Sequence, residues 1–253
     1  MKLKNTCFLI LFGLLQFSSF AQSAQSEGRI DYEKEFLAGV NFNTNGGLIG
    51  GFMLRYSKLV YEKKNQFHNF GFEVGIVKHP KELRYASQQS GGTFIAYKSH
   101  HLVVLRPTYG REFVLFHKGN EDGVQLDFIL NGGISFGVLT PYYIQYQNGP
   151  VVETVPYDPV NTPEIIMVIN SSGYTTGLGQ SKVVPGIHLR TGFSFEYGHF
   201  SNKVTGLEVG FLFEAFAKKM VMMEAPASYS GTSFHNNQVF TSVYLTIFYG
   251  GRK

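Results

Sequence analysis

Between residues 35 and 249, apolar and polar positions alternate with a period of two through most of the chain. In 186–197, Ile187, Leu189, Thr191, Phe193, Phe195 and Tyr197 share one side, while His188, Arg190, Gly192, Ser194 and Glu196 take the other. In 204–216, Leu207, Val209, Phe211 and Phe213 stand opposite Gly206, Glu208, Gly210 and Glu214. In 69–78, Phe70, Phe72, Val74 and Ile76 alternate with Gly71, Glu73 and Gly75. A helix, repeating every ~3.6 residues, would scatter these sets around its circumference. The pattern predicts eight strands, at 35–44, 48–58, 69–78, 101–116, 124–139, 186–197, 204–216 and 239–249. The fold class is all-β.

Alternation does not say which face is inside, because a soluble barrel buries its apolar face and a membrane barrel turns it to lipid. The distribution of residue types favours lipid. Lys58, Lys63, Lys64, Lys78, Lys118, Lys203, Lys218 and Lys219 fall at strand ends or in connections, whereas a water-facing sheet carries Lys along its exposed face. The polar face is rich in small residues with a few Glu and Arg, which suits a narrow lumen. Tyr56, Tyr109, Tyr142, Tyr197 and Tyr249 fall where interfacial girdles would lie.

The connections alternate short with long. Long segments run near 79–100, 140–185 and 217–238, while the intervening links are short and polar. This is the plan of an up-and-down transmembrane barrel with short turns on the periplasmic side. Eight strands close it and ten would also do so if part of 142–169 paired inside the membrane. Asn45-Gly46-Gly47 favours a tight two-residue hairpin.

Ahead of the barrel, Lys2 and Lys4 precede an apolar run from Cys7 to Leu15, followed by Ser18, Ser19 and Ala21. These are the marks of a cleaved signal peptide over 1–21. A periplasmic segment, 22–34, and the barrel, 35–253, would follow. Cys7 is the single cysteine, so the mature chain would carry no disulfide. Without Lys2 and Lys4 the formal charge falls from +4 to +2, which makes nucleic acid an improbable partner.

Several stretches resemble the small outer-membrane β-barrel proteins of Bacteroidota, OmpA-like in their transmembrane part. They are 104–116 (VLRPTYGREFVLF), 139–146 (LTPYYIQY), Tyr157-Asp158-Pro159, 185–197 (PGIHLRTGFSFEY) and 207–213 (LEVGFLF). The resemblance implies an integral barrel of a Gram-negative outer membrane, some of whose relatives serve as accessory subunits of secretion or assembly machines. The chain departs from the pattern by having no peptidoglycan-binding domain after the last strand and by ending on Gly250-Gly251-Arg252-Lys253 rather than an aromatic residue.

Candidate chemistry is sparse. Arg55, Glu73, Arg106, Glu112, Asp127, Arg190, Glu196, Glu208 and Glu214 fall on the inward face. They read as a paired charge network filling the lumen, because a buried charge must find a partner. Eight strands leave no aqueous channel. No catalytic or nucleotide-binding motif is present, and no cofactor or metal is called for. His79, His100 and His101, with Asp158, offer a weaker alternative: an outer-leaflet lipid-modifying enzyme. A small passive pore or a surface adhesin is a third. The segment 140–185 carries Tyr142, Tyr143, Tyr146 and Tyr157 among several prolines, and Met220, Met222 and Met223 lie in the last loop. These are the candidate contacts for a protein partner in the outer membrane, since Tyr and Met make adaptable contact surfaces. The expectation is a lipid-embedded accessory or scaffold subunit of a larger complex.

Overall fold

The structure, a computed structural model, describes residues 32–61, 63–117, 123–160, 167–197, 202–225 and 234–253. The segment expected to be a signal peptide lies outside them. Eight strands form one closed antiparallel barrel: β1 (Lys34–Asn43), β2 (Gly47–Val60), β3 (Lys63–Val77), β6 (His100–Phe116), β7 (Val124–Pro141), β11 (Lys182–Tyr197), β12 (Lys203–Phe216) and β13 (Val239–Arg252). Each barrel strand pairs with the barrel strand that follows it, and β1 closes on β13. Closure leaves no barrel strand with an unpaired edge.

Among the described residues, five short strands lie outside the barrel. β4 (Arg84–Ala86) and β5 (Thr93–Ile95) form a hairpin, and β8 (Tyr143–Asn148), β9 (Val151–Pro156) and β10 (Val168–Ser171) form a sheet in the order β10-β8-β9. The ten-strand alternative therefore fails. The strands β8, β9 and β10 pair with one another above the barrel rather than entering its wall.

The alternation in the sequence becomes an inside and an outside. Outward residues include Ile187, Leu189, Phe193, Phe195 and Tyr197 on β11 and Phe211 and Phe213 on β12, all exposed. Inward, Arg190, Ser194, Glu196, Glu208 and Glu214 are buried. The barrel is thus apolar outside and polar within, the reverse of a soluble protein. Tyr56, Tyr109, Tyr197 and Tyr249 stand on the outer face. Tyr142 does not: it is 1% exposed, because the chain leaves the wall at Pro141 and the ring turns into the loop layer.

The barrel strands are 10 to 18 residues long, against the ~10 that cross a bilayer at a tilt. Much of the excess is on β6 and β7, of 17 and 18 residues; β6 leaves the first long loop and β7 enters the longest one. The first hairpin turn is a residue longer than a two-residue turn, spanning 44–46 between β1 and β2. The Asn43 side-chain oxygen accepts the N–H of Asn45 at 3.0 Å, and Gly47 supplies a φ of 84°.

Candidate functional site

The lumen is built from the inward positions of all eight wall strands, and its middle is an ion-pair ladder. The Arg55 Nη1 donates to Glu208 at 2.7 Å, and Arg190 Nε donates to the other oxygen of Glu208 at 3.1 Å. Arg190 also pairs with Glu73, whose second oxygen receives Arg106 at 2.8 Å. Arg106 then grips Glu214 through Nε and Nη2, at 2.8 and 2.9 Å. Three guanidinium groups alternate with three carboxylates, so this layer is formally neutral.

Hydroxyl and ring groups take up the remaining lone pairs. Tyr244 donates to Glu208 at 2.6 Å, and its ring lies beneath the Arg190 guanidinium at 3.9 Å. Ser135 donates to Glu214 at 2.6 Å and bonds His188 at 3.0 Å, while the other His188 nitrogen meets Thr108. Gly192 and Gly210 make room for Tyr244: a Cβ on either would stand 2.5 or 2.7 Å from its hydroxyl.

Toward the short-turn end a second cluster holds Glu35, Glu112, Asp127 and Glu196. Arg252 donates to Glu35 at 2.6 Å, pairs with Glu196 and stacks over Tyr32. Ser57 donates to Asn69 at 2.7 Å and lies 3.2 Å from Glu112. Gln125 donates to both oxygens of Asp127. At the other end an apolar layer of Val77, Leu102, Val104, Leu139, Val184, Phe216 and Phe240 closes the bore, with Met220 and Met222 lowered into it. Ion-paired and apolar layers thus succeed one another along the bore. All nine charged residues anticipated from the sequence face inward and are buried. Parity found them. Glu35 and Arg252, which tie the lower cluster together, lie at strand ends where the alternation is hardest to follow.

Above the mouth the three long loops interlock into one layer. Its core is Phe94, Ala96, Tyr142, Ile144, Tyr157 and Val168. The Tyr142 hydroxyl accepts the N–H of Ile95 at 2.9 Å, and the Tyr157 hydroxyl that of Tyr97 at 3.4 Å. Burial pushes both phenols above the ordinary tyrosine range, with these N–H donors opposing it. Ser87 and Ser90 donate to the carbonyls of Val168 and Ile169. Met222 accepts the N–H of Ser99, and Lys98 and Met223 form an isolated bridge. The Lys98 ammonium pairs with Glu82 at 2.8 Å; burial pulls it below the usual lysine range, and the Glu82 charge works the other way.

This overturns the contact role anticipated for several residues. Tyr142, Tyr157, Met220, Met222 and Met223 are each less than 5% exposed: the tyrosines build the loop layer, Met220 and Met222 plug the bore and Met223 bridges to Lys98, so none presents a surface. An apolar side chain on a loop that folds on itself buries its area there. Tyr143 and Tyr146 are half-buried. Exposed apolar residues of the loops include Leu83, Tyr85, Val151, Val152 and Leu178. β9 is the edge of its sheet, and its first four residues are exposed.

The histidines do not converge. His79 caps a turn, accepting the N–H of Lys81 at 3.1 Å and bonding the carbonyl of His235. His101 packs between Tyr142 and Tyr174, and Asp158 accepts the N–H of Val160 at 3.0 Å. Among the described residues no group of three His, Cys, Asp or Glu side chains could hold a metal ion.

The architecture is that of a small closed barrel with a lipid-compatible exterior and an ion-paired core. No protein-family model matches the sequence, and no curated protein matches it. Solved structures of similar shape include neisserial surface protein A, at 10% identity and a TM-score of 0.39, covering 88% of this chain and 97% of that one. The attachment invasion locus protein Ail of Yersinia pestis is similar at 13% identity and a TM-score of 0.39, covering 88% and 99%. A second structure of Ail, in complex with the heparin analogue sucrose octasulfate, aligns at 10% identity and a TM-score of 0.38, with the same coverage.

Proposed function

We propose that this protein is an outer-membrane barrel of a Gram-negative bacterium that acts by binding, as an accessory or scaffold subunit docked through its loop layer. The membrane reading is supported by the closed wall, the apolar exterior and the tyrosines on the outer face. Binding in place of catalysis is part of the same reading, as is the Bacteroidota affinity of the quoted stretches.

One observation carries the docking role. The loop sheet has its own core and ends on β9, an edge strand that exposes Val151 and Val152 at 53% and 54%. β9 is VVETVP and carries no Lys, the residue that commonly blunts such an edge. An exposed edge offers a partner a row of backbone hydrogen bonds, and a prefolded layer spares the cost of ordering a loop.

The test is gentle detergent extraction of tagged protein from its native membrane, followed by sizing and mass spectrometry. A stable stoichiometric complex is expected. The double variant V151K/V152K should release the partner while the barrel keeps its heat-modifiable migration. Wild-type protein recovered alone would overturn the docking role.

A further inference from the structure

The short-turn end of the outer face carries a row of basic residues that the lumen and the loop layer do not explain. Lys34 on β1 is in register with Lys58 on β2, Lys58 with His68 on β3, and His68 with Arg111 on β6. On the other side, Lys34 and Lys253 exchange backbone hydrogen bonds of 2.8 and 2.9 Å. Each has the parity of an outward neighbour: Phe36, Tyr56, Phe70, Tyr109 and Gly251. Like charges side by side on a sheet destabilise it, so a row of them needs an anionic counterpart. β1, β2, β3 and β6 place no carboxylate on the outward face among the described residues. Glu35 is turned inward onto Arg252, and Glu33 lies ahead of β1.

A second row runs beside the first, one step nearer the apolar belt. Phe36 pairs with Tyr56, Tyr56 with Phe70, and Phe70 with Tyr109. On the β13 side the partner of Phe36 is Gly251, so this row has a gap where a side chain is missing. The gap is a cleft of about 380 Å³ lined by Lys34, Glu35, Phe36, Tyr56, Gly251, Arg252 and Lys253, with the Glu35 carboxylate taken up by Arg252. Lys203 of β12 stands across from Gly251.

Ammonium groups above an apolar slot match one ligand chemistry: a phosphate joined to hydrocarbon. We propose that this cleft is a binding site for an anionic glycerophospholipid of the leaflet next to the short turns. Lys34 and Lys253 hold the phosphate, Lys58 adds charge, and an acyl chain lies over Gly251 between Phe36 and Tyr56. The proposal rests on the membrane reading above.

The test uses the whole protein purified in a zwitterionic detergent, with lipid retention read by native mass spectrometry. The probes are phosphatidylglycerol, phosphatidylcholine and inorganic phosphate. Wild-type protein should retain phosphatidylglycerol in preference to phosphatidylcholine, with little competition from inorganic phosphate. K34Q/K58Q/K253Q should bind phosphatidylglycerol about a hundredfold more weakly, from roughly fivefold per lysine. G251L, which fills the slot and keeps every charge, should also lose retention; its Cβ meets only Asn202 O, at 3.3 Å. Unchanged retention in both variants, equal retention of the two lipids, or full displacement by inorganic phosphate would overturn the proposal. Failure of the membrane reading shows separately, as wild-type protein that lacks heat-modifiable migration and does not fractionate with membranes.

Discussion

Arg190 is the hub of the lumen, touching Glu73, Glu208, the Thr246 hydroxyl and the Tyr244 ring. Removing its charge leaves two buried carboxylates short of a partner, and breaking a buried pair costs about 3–5 kcal/mol. R190M is therefore expected to lower the denaturant midpoint of the refolded barrel by an amount in that range. Pairing it with E208Q should recover part of the loss, because the second change removes the charge left stranded. Equal destabilisation by the single and double variants would contradict the ladder. At this scale the sequence was informative wherever parity alone decides. It put Arg190 and Glu208 on one face, but nothing in the alternation says that Tyr244 would donate to Glu208. That contact depends on two glycines, Gly192 and Gly210, that clear the space for it.

The elements divide into a wall that could be anticipated and a loop layer that could not. A strand advertises itself by period, whereas β4, β5 and β10 are three or four residues long, too short to show one. Tyr and Met in long loops are chemically suited both to contact and to core. Here the interlocking of three loops made most of them core. A pH test follows from Tyr142 and Tyr157, whose burial favours the neutral phenol in the folded layer. Their contribution is whole below the unfolded value of about pH 10 and is lost as pH rises through the higher folded values. Tyrosinate absorbance should show these two titrating late, together with a rise in protease sensitivity of the loops, while the wall stays intact. In Y142F/Y157F the late phase should lose the amplitude of these two residues, and the loop protease sensitivity should no longer rise with it.

For the whole molecule, membrane orientation is the property with the widest consequences. Cys7 is the chain's single cysteine and falls in the expected signal peptide, so introduced cysteines would report position cleanly. Tyr85 is exposed on the loop layer, Tyr61 at the β2–β3 turn, and Leu189 and Phe211 on the apolar outer face. In intact cells a membrane-impermeant maleimide is expected to label Y85C and leave Y61C unmodified until the envelope is opened. L189C and F211C should stay protected in both conditions. Labelling of Y61C on intact cells would reverse the orientation, and labelling of the belt positions would remove the barrel from lipid.

The ion ladder also bears on how the wall closes. In its middle layer β2, β3 and β6 contribute Arg55, Glu73 and Arg106, an excess of one positive charge, while β11 and β12 contribute Arg190, Glu208 and Glu214, an excess of one negative charge. Apart from the Glu73–Arg106 and Arg190–Glu208 contacts, the rungs join one half of the chain to the other. Each half-sheet is thus left with a charge that the other half neutralises. The three rungs that cross the bore, Arg55–Glu208, Arg106–Glu214 and Arg190–Glu73, are met only when the sheet is rolled shut, so the charge layer favours the closed barrel over an open sheet.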